Sequence, residues 1–535
     1  MISALLVVSL IIPCFQTAFS LQAAHHCSSK RSQLLDQRHS HHLLLSTRSN
    51  DNLPETTTSN SCSNLVDLKV AIVGGGPSGL LLANKLLANG ASVSVYEARS
   101  RPISKEPRAY ALGVGMRGRT AIKSVDGKLW ESVQAAGFAS ERFHLHIGPL
   151  RLRLRDGQDK NNDKATNIQP DQEPSLLLYQ SDLCRVLADE LVRRWSDDNL
   201  SLRFDSKIEN VYLHNSSLLL ENSLAESFDL IVGCDGVNSI VRSTIQNEWP
   251  AFESEKKVLP GELKVMRLSQ VPPKLDPTAV SLLLPRAGSV TAFVEPTADG
   301  GCCVLFAGRN ATDTLLMSQN ETELEEVILE RFPLFDGAPV AAATHQLAAS
   351  KTSNAASVTC NIYHCSHVAA LVGDAAHATG GVSGQGVNSA LMDSSVLADC
   401  LLLHYNPTEK TKSLHNALLS YSTKQVPEGK ALFDLSFGPK PNTIWKKASY
   451  SLNNLLDSVF RGRWGIGKPP LQTQLTTSLI PFSEIRRQND RYYSEKFPEQ
   501  EDWNHILTEL DARSVPGLAS MEEPTVWCGD ALQVE

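Results

Sequence analysis

The feature that most constrains the fold of this chain is a glycine-rich turn between an apolar strand and an apolar helix. Residues 69–73 (KVAIV) have the composition of a short buried strand, residues 74–79 (GGGPSG) follow directly, and residues 80–88 have a helical apolar pattern. In such a unit the glycines permit a tight turn, close approach of the backbone to a pyrophosphate, and packing of the helix on the strand. The helix N-terminus offers free N–H groups and partial positive charge to the phosphates. We therefore predict a dinucleotide site that includes Gly74, Gly76, Pro77, Ser78 and Gly79.

The end of the next predicted strand narrows the choice of dinucleotide. Residues 92–96 form that strand, and Glu97 follows it, with Arg99 close behind. A carboxylate at this place accepts hydrogen bonds from ribose hydroxyls and disfavours a ribose 2′-phosphate. We expect FAD or NAD rather than NADP as the resident cofactor, with Glu97 and Arg99 among the residues that bind it. A second match to the glycine pattern, at residues 113–118, has no such acid and is predicted to be a loop or the approach to a helix.

Composition excludes several classes of protein. The chain has 535 residues, 42% hydrophobic and 20% charged, so most of it is expected to be globular and divided into several domains. Its net charge of -8 supplies no general field for phosphate backbones, and nucleic acid is not an expected partner.

The cysteines include no CxxC pair and are interpreted as mostly reduced thiols. Cys360, His364, Cys365 and His367 are close in sequence, but on a strand their side chains would alternate between faces, and no metal site is predicted.

The N-terminal residues have the composition of a targeting sequence. Residues 4–15 are an apolar run too short to span a bilayer, and small residues follow at a suitable cleavage position, which predicts a signal peptide over residues 1–20. Residues 21–64, rich in Ser, His and Arg, are predicted to be a transit-like segment and linker. This two-part presequence favours a plastid location, with the ER or secretion as the alternative. No later segment reaches transmembrane length, so no transmembrane segment is expected in the mature chain.

Two further predicted strands end in an acidic residue. Residues 228–233 lead into Cys234, Asp235 and Gly236, and residues 368–372 lead into Gly373 and Asp374. After the second strand comes a glycine loop and then a helix that runs to about residue 403. In an open parallel sheet the carboxyl ends of the strands line the ligand crevice. These acids are therefore expected to share one crevice with the glycine turn.

Together these motifs carry a family resemblance. GGGPSG with Glu97, residues 234–242 (CDGVNSIVR) and residues 373–388 (GDAAHATGGVSGQGVN) resemble the single-component FAD-dependent aromatic hydroxylases, the group A flavoprotein monooxygenases. Within that group, residues 108–122, 228–242, 427–436 and 482–486 are most similar to kynurenine 3-monooxygenase. The resemblance implies FAD as the bound cofactor, and NADPH or NADH and O2 as co-substrates. It also implies hydroxylation or epoxidation of an electron-rich aromatic or alkene through a flavin C4a-hydroperoxide. Such chemistry needs no protein nucleophile, and the catalytic residues are unknown.

The resemblance also implies roles for particular residues. Asp374 would bond the ribityl chain, Asp235 and Gly236 would face both FAD and the visiting nicotinamide nucleotide, and Arg108 and Gln180 would lie in the flavin site. The start of the long helix would direct backbone N–H groups at the flavin pyrimidine edge. Its residues are Gly384, Gln385, Gly386, Val387 and Asn388, and Gly373 completes the cofactor-binding set. His377 belongs to the structural turn of the family motif and is not predicted to be catalytic.

The chain departs from the kynurenine enzymes where they bind substrate. By the register of the flanking motifs, the family's substrate arginine falls at Phe143, with Arg142 one place off. The family's asparagine falls at Pro439 and one tyrosine at Thr477, while the other tyrosine is lost in a polar insertion over residues 156–173. We therefore expect a different small-molecule substrate, an aromatic compound or a terpenoid or pigment, rather than kynurenine.

The patterns predict an α/β (α+β) protein with a Rossmann-like FAD-binding domain of the aromatic-hydroxylase type, an antiparallel β-sheet substrate domain and a helical C-terminal region. The FAD domain is assigned to residues 65–255 and 356–405, the substrate sheet to 256–355, the helical region to 406–512 and a polar tail to 513–535. Two rival functions stay open. One is an O2-independent flavin reductase or desaturase of the same fold, and the other is a non-catalytic protein that binds flavin or pigment.

Overall fold

The computed structural model describes residues 65–104, 110–140, 142–155, 174–221, 226–309, 312–439 and 471–513. Several sequence-based predictions lie outside these residues. They are the signal peptide and transit-like segment, Arg108, the polar insertion at 156–173 and most of the polar tail.

The strands are short, as is usual for a sheet protein of mixed class. In chain order they are β1 (Lys69–Val73), β2 (Ser92–Tyr96), β3 (Ala111–Val114), β4 (Phe138–Ser140), β5 (Arg142–Ile147), β6 (Leu150–Arg155), β7 (Ser175–Tyr179), β8 (Leu200–Arg203), β9 (Ile208–Tyr212), β10 (Ser217–Leu220), β11 (Glu226–Ser227), β12 (Leu230–Gly233), β13 (Ser254–Val258), β14 (Glu262–Leu268), β15 (Ala279–Leu284), β16 (Thr291–Pro296), β17 (Cys302–Gly308), β18 (Ala356–Cys360), β19 (His364–Cys365), β20 (Ala369–Leu371) and β21 (Ala378–Thr379).

The α-helices differ widely in length. In chain order they are α1 (Pro77–Leu87), α2 (Met116–Lys123), α3 (Gly127–Ala135), α4 (Gln180–Arg194), α5 (Ile240–Glu248), α6 (Thr314–Met317), α7 (Glu321–Arg331), α8 (Val340–Ala349), α9 (Gly386–His404), α10 (Lys410–Phe437), α11 (Leu471–Thr477), α12 (Phe482–Arg487) and α13 (Gln500–Asp511).

A parallel sheet forms the centre of the FAD-binding part. Within the described residues its order is β19-β20-β12-β1-β2-β8, and every neighbouring pair is parallel except β19 with β20. The strands predicted at residues 69–73 and 92–96 are confirmed at those bounds as β1 and β2. Val70, Ala71 and Ile72 are fully buried, because a parallel sheet is covered on both faces. Helix α1 packs on α4 and on the long helix α9.

A second sheet has the order β14-β17-β16-β15-β5-β6 among the described residues. Its neighbours are antiparallel except β15 and β5, which run parallel. The predicted antiparallel sheet therefore contains one parallel pair. Parallel neighbours need a long connection, whereas a tight turn joins only antiparallel strands. β5 and β15 are far apart along the chain, so their connection is long enough for parallel pairing. β5 and β6 reach this sheet from a segment that lies between strands β4 and β7 in sequence.

The two faces of this second sheet have different surroundings. One face packs against α7 and α8 and is fully apolar in its centre, with Met266, Val294 and Val304 buried against Ile328 and Phe335. The register of the strands assigns the alternate residues to the other face. We call this the inner face, and it is defined by Phe143, Val265, Arg267, Leu282, Phe293, Glu295, Cys303 and Leu305. At one end it contacts the FAD-binding part, because Cys303 and Val265 pack with Ala111 and Tyr179.

Helices dominate the described C-terminal part, as predicted. The long helix α10 packs on α9, α12 and α13. Helix α9 is the one described helix that is long and apolar enough to cross a membrane by composition, with 56% of the relevant window buried inside the fold. It contacts α1, α2 and α10, which is the environment of a core helix, since an apolar helix buried all round serves in the core of a large protein.

Candidate functional site

Four strand tips meet at one edge of the parallel sheet. In the order β20-β12-β1-β2 these strands are adjacent and parallel, so their carboxyl ends lie side by side. Gly74 follows β1, Glu97 follows β2, Asp235 comes after β12, and Asp374 comes after β20. The sheet therefore brings together the glycine turn and the three acids, at the place where ligands bind in parallel sheets.

The glycines of the first turn divide into two kinds. Gly74 has φ +108°, and a Cβ at this residue would lie 2.4 Å from the carbonyl oxygen of Cys234. A Cβ on Gly79 would lie 2.1 Å from the carbonyl oxygen of Gly74. Backbone atoms therefore leave no space for a side chain at Gly74 or at Gly79. A Cβ on Gly76, in contrast, would meet no atom of the described residues within 4 Å. Gly76 precedes α1, whose N-terminus has no side-chain cap. Its free N–H groups face open space, as a pyrophosphate requires.

Pro77 and Ser78 begin helix α1. Pro77 occupies the first turn, where the missing N–H has no consequence. Ser78 is buried, and its carbonyl oxygen accepts the Ser394 hydroxyl at 2.9 Å. This contact joins the glycine turn to α9, the helix that follows the Asp374 loop.

Glu97 is held beside the turn by three N–H donors. Its Oε2 accepts the Gly75 N–H at 2.8 Å, and its Oε1 accepts the backbone N–H of Arg99 at 2.9 Å and the Arg99 Nε at 3.0 Å. Burial opposes ionisation of Glu97, but the bonds from Arg99 outweigh it and lower the pKa of the carboxyl. A carboxylate has about four acceptor sites, which leaves one for a ribose hydroxyl. Arg99 itself is exposed and supports Glu97.

Asp235 has one satisfied and one unsatisfied oxygen. Its Oδ2 accepts the Ile240 N–H at 2.7 Å, while its Oδ1 is buried without a hydrogen-bond partner among the described residues. Burial raises the pKa of this carboxyl. Because an unmade hydrogen bond in the interior is costly, Oδ1 is positioned to accept a bond from a bound ligand. Gly236, next in the chain, has φ +72°, and a Cβ there would meet no atom within 4 Å.

Arg242 links the Asp235 loop to the Asp374 loop. Its side chain is buried, Nη1 donates to the carbonyl oxygen of Ala375 at 2.9 Å, and Nη2 donates to that of Val237 at 2.8 Å. One guanidinium thus fixes the spacing of two acid-bearing loops. The sequence motif contains Arg242 but does not indicate its role. The feature that could have predicted the role is an arginine in the first turn of the helix that follows a buried strand and a turn, because arginine is rarely buried without a partner.

Asp374 follows the tip of strand β20 and is exposed. Solvent reaches its side chain, but protein crowds the group on the other sides, and this burial raises the pKa of the carboxyl. Gly373 has φ +63°, and its N–H donates to Asp393 Oδ2 at 3.1 Å. The same oxygen lies 2.7 Å from His377 Nε2. Asp393 and His377 therefore hold the turn in shape, consistent with a structural role for His377.

The predicted residues at the start of α9 serve two purposes. In the part of the chain that the structure describes, a Cβ on Gly384 or Gly386 would have no atom within 4 Å, so the loop is open there. Gln385 and Asn388 are buried, and Val387 is half-buried. The Asn388 side chain is used inside the protein: Oδ1 accepts the Gly115 N–H at 2.8 Å and Nδ2 donates to the Gly113 carbonyl at 3.0 Å. The side chain therefore binds the segment between β3 and α2, and the backbone N–H, in the first turn of α9, is available to a cofactor.

Those contacts also explain the second glycine match. Gly113 lies in β3, Gly115 precedes α2, and a Cβ on Gly118 would lie 2.6 Å from Asn388 Oδ1. The match is a strand and the start of a helix packed on α9, which confirms the predicted approach to a helix.

Tyr110 and Gln180 contact each other at the start of helix α4. Gln180 begins α4, is half-buried, and donates its backbone N–H to the Tyr110 carbonyl at 3.1 Å. Crowding by protein, with a contribution from the Asp374 charge, raises the pKa of Tyr110 to about 12. These two residues therefore lie close to the Asp374 loop.

The residues present fit a flavin dinucleotide. Gly76, Gly236, Gly384 and Gly386 leave open space around the strand tips, and Asp235 supplies a buried oxygen without a partner. Free N–H groups come from the starts of α1 and α9, at two ends of the cleft.

Comparison with known proteins identifies the family. Residues 67–436 match the family model described as FAD binding domain. The chain belongs to the FAD-dependent monooxygenase family. It therefore binds FAD and is an oxidoreductase of that family. Kynurenine 3-monooxygenase of Flavobacterium psychrophilum is 25% identical over 428 residues, which cover 78% of this chain and 90% of that protein. Kynurenine 3-monooxygenase of Neurospora crassa is 26% identical over 493 residues, which cover 82% of this chain and 89% of that protein.

Solved structures of flavin monooxygenases share the fold. 2-Methyl-3-hydroxypyridine-5-carboxylic acid oxygenase matches 81% of this chain and 99% of its own at a TM-score of 0.56 and 18% identity. PqsL, a probable FAD-dependent monooxygenase from Pseudomonas aeruginosa, matches 73% of this chain and 99% of its own, at a TM-score of 0.55 and 19% identity. Together with the sheets described above, these matches confirm the predicted aromatic-hydroxylase fold class.

Phe143 belongs to the inner face of the second sheet. The ring of Phe143 lies 5.9 Å from that of Phe293, edge to face. Arg142 points away, because its Nη1 donates to Asp276 Oδ2 at 3.1 Å and its side chain is half exposed. An aromatic ring therefore occupies the place to which the resemblance assigns the substrate arginine. Pro439 is buried, and Thr477 is the last residue of α11.

The cysteine and histidine cluster has structural partners. His364 is fully buried between Ser422 Oγ at 2.7 Å and Asp511 Oδ1 at 3.1 Å, and His415 contacts the other oxygen of Asp511 at 2.9 Å. No group of three or more potential ligands able to hold a metal occurs in the part of the chain that the structure describes. The imidazole of His364 joins helix α13 to β19, a contact that sequence spacing does not reveal.

Proposed function

We propose that this protein uses NADPH or NADH and O2 to hydroxylate or epoxidise an electron-rich aromatic or alkene. The observation that carries the proposal is the row of four parallel strand tips, with Gly74, Glu97, Asp235 and Asp374 on one cleft. The cleft lies beside the inner face of the second sheet, through the contact of Cys303 with Ala111. When bound, FAD supplies the redox chemistry that the side chains lack.

The protein holds the cofactor and controls its electrostatics. The N-terminus of α1 would bind the pyrophosphate, and Glu97 would accept a hydrogen bond from a ribose hydroxyl. Asp235 and Asp374 would accept hydrogen bonds from hydroxyl groups of the cofactor. The first-turn N–H groups of α9 would favour negative charge near the start of that helix.

The inner face orients the acceptor and keeps water out. Its half-buried residues include Phe143, Leu282, Phe293 and Leu305, which favour an apolar or aromatic ligand. Phe143 supports an acceptor other than kynurenine, because a phenyl ring cannot pair with an amino-acid carboxylate. An aromatic compound, a terpenoid or a pigment fits this surface better.

The decisive experiment uses the purified full-length protein with bound FAD. Loss of NADPH or NADH, uptake of O2 and release of peroxide are followed together while kynurenine, simple phenols and carotenoids are added in turn. A monooxygenase consumes O2 in step with acceptor and releases little peroxide. Well-coupled uptake with kynurenine would overturn the choice of substrate class, though not the reaction type.

The rival functions give different outcomes in the same assay. An O2-independent reductase or desaturase turns over its substrate under anaerobic conditions. A non-catalytic binding protein retains FAD but shows no stimulation by any acceptor. The variant Gly76→Val, which fills the open space before α1, serves as the control without cofactor.

We also propose that the presequence directs the protein to a plastid. The support is compositional: an apolar run over residues 4–15, then a Ser-, His- and Arg-rich stretch. A fusion of residues 1–64 to a fluorescent protein, expressed in an alga whose plastids lie inside the endomembrane system, should accumulate in the plastid. Accumulation in the ER or the medium would favour the alternative.

A further inference from the structure

Glu295 lies near the end of strand β16, on the inner face of the second sheet. Strand pairing sets Glu295 opposite Cys303, and Cys303 opposite Arg267. Residues directly opposite each other in a sheet share a face, so all three project to the same side, away from the helices that cover Val294 and Val304. Because neighbouring strands are about 4.8 Å apart, Arg267 and Glu295 are roughly 10 Å apart across Cys303.

The Glu295 carboxyl group is buried without a partner. The residue is 8% exposed, and within the described residues its side chain forms neither a hydrogen bond nor an ion pair. Two buried carboxyls of the described residues, in contrast, have charged partners: Asp313 pairs with Arg331 at 2.7 Å, and Asp511 pairs with His364 at 3.1 Å. Burial alone raises the pKa of Glu295 to about 7. A buried polar group normally has a partner, and one that lacks it within the protein is suited to bind a ligand.

Glu295 also lies on the side of the inner face nearest the cofactor cleft. Strand β3 connects this part of the sheet to the cleft, because the Gly113 carbonyl in β3 accepts a hydrogen bond from Asn388 Nδ2, at the start of α9, at 3.0 Å. Cys303, the direct neighbour of Glu295, packs with Ala111. A ligand that contacts Glu295 is therefore close to the strand tips that hold the cofactor.

The surroundings of Glu295 are suited to an aromatic ring. Phe143, Leu282, Phe293 and Leu305 form an apolar surface on the inner face, and the guanidinium of Arg267 lies 3.8 Å above the ring of Tyr179. In an apolar site a single polar group decides the orientation of the ligand. Glu295 is the carboxyl-bearing residue among those that define the inner face.

We propose that Glu295 accepts a hydrogen bond from the O–H or N–H group of an electron-rich aromatic acceptor and so selects phenols or anilines. This inference rests on the proposed function and adds the substrate class to it. The carboxyl orients the ring so that the donor group lies at Glu295 and the rest of the ring lies on the apolar surface. An acceptor without such a donor would leave the buried carboxyl unpartnered.

The test compares matched ligands on the FAD-loaded enzyme. Binding constants are measured from the absorbance change of bound FAD for phenols against their methyl ethers and for anilines against their N,N-dimethyl derivatives. Wild type should bind the donor-bearing member of each pair about 10- to 100-fold more tightly. Glu295→Met should abolish this preference, and Glu295→Gln should retain part of it. Comparing phenols with anilines shows which donor the site takes.

The controls separate this inference from the proposed function. Glu330→Gln removes an exposed carboxyl on α7 and should leave the preference unchanged. Glu295→Met should fold, because an apolar replacement for an unpaired buried carboxyl removes a desolvation penalty, and circular dichroism and FAD content verify this.

Three outcomes overturn the inference. They are equal binding within each pair by wild type, binding of no donor-bearing ligand, and a preference that survives in Glu295→Met. If acceptor-stimulated O2 uptake persists in that case, the proposed function stands; if it is absent from every variant and wild type, the proposed function fails.

Discussion

The carboxylate of Glu428 accepts the backbone N–H of Phe482 at 2.6 Å, which joins helix α10 to the start of α12. Arg117 lies 3.9 Å above the Phe482 ring, and Arg486 donates to Asp434 at 3.1 Å. The three segments that resemble kynurenine 3-monooxygenase outside the flavin motifs therefore contact one another. They form a structural junction, so their resemblance supports the fold and does not specify the substrate.

Glu428→Ala should destabilise this junction. The variant leaves the N–H groups of Phe482 and Ser483 without their acceptor, and loss of a helix cap costs about 1–2 kcal/mol. Urea unfolding measures the difference. Glu495→Ala removes an exposed carboxyl near the same helix and should have little effect. Equal midpoints for both variants and wild type would contradict the capping role.

Gly76 and Gly79 should respond differently to the same substitution. A Cβ on Gly79 would lie 2.1 Å from a backbone oxygen, whereas a Cβ on Gly76 would meet nothing within 4 Å. Gly79→Ala should therefore weaken the fold and FAD binding together. Gly76→Ala should keep the stability of the FAD-free protein and lose FAD affinity, because the methyl group takes the space of the pyrophosphate. Titration with FAD and thermal unfolding without it check both variants; unchanged FAD affinity in Gly76→Ala would contradict this assignment of the cleft.

Arg242→Met should loosen the two acid-bearing loops. The change removes the donors to the carbonyl oxygens of Ala375 and Val237, which are then unsatisfied in a buried region, at a cost of about 2–4 kcal/mol. FAD affinity should fall in parallel, because the spacing of Asp235 and Asp374 depends on this side chain. Arg193→Met, at an exposed arginine, is the control. Normal FAD binding by a folded Arg242→Met protein would rule out this positioning role.

The stability of the FAD-free protein should depend on Glu295 and pH. Burial raises the pKa of Glu295 from its ordinary value of 4.5 to about 7. Between these values the folded state binds a proton that the unfolded state has released, so this residue lowers the free energy of unfolding as pH rises through the window. Cys303 and Tyr110, which face Glu295, each have a pKa raised to about 12 and stay neutral there. Arg267 lies on the far side of Cys303 from Glu295.

Glu295→Gln removes this titration. Its free energy of unfolding should exceed that of wild type by about 3 kcal/mol at pH 8, and the difference should vanish below about pH 4.5. Denaturant unfolding across this pH range measures the gap. A difference that does not change with pH would show that Glu295 has an ordinary pKa in the folded protein.

Local sequence patterns predicted the parts of the fold that depend on local physics. β1 and β2 have the predicted bounds, because a fully buried strand followed by a glycine turn is specified within a few residues. The convergence of Glu97, Asp235 and Asp374 followed from one rule about parallel strands. Three acids far apart in sequence could therefore be assigned to one edge of a sheet.

Contacts between distant segments could not be predicted in the same way. The parallel pairing of β5 with β15, the Asn388 contacts with Gly113 and Gly115, and the bond between Asp393 and Gly373 each depend on how elements pack. Glu295 was overlooked for a related reason. Its lack of a partner depends on which residues pack around it, and the sequence does not show these. A single glutamate in a predicted strand is usually exposed to solvent.

The order of the strands in the parallel sheet has a consequence for biosynthesis. β1 pairs with β12, and β12 in turn pairs with β20, which is encoded far downstream, after the whole of the second sheet. At translation rates of roughly 5–20 residues per second, the apolar edge of β12 emerges from the ribosome several seconds or more before its neighbour exists. A nascent chain with an open apolar strand edge is prone to aggregate. Heterologous production of this protein should therefore benefit from low temperature and co-expressed chaperones that bind unfolded chains.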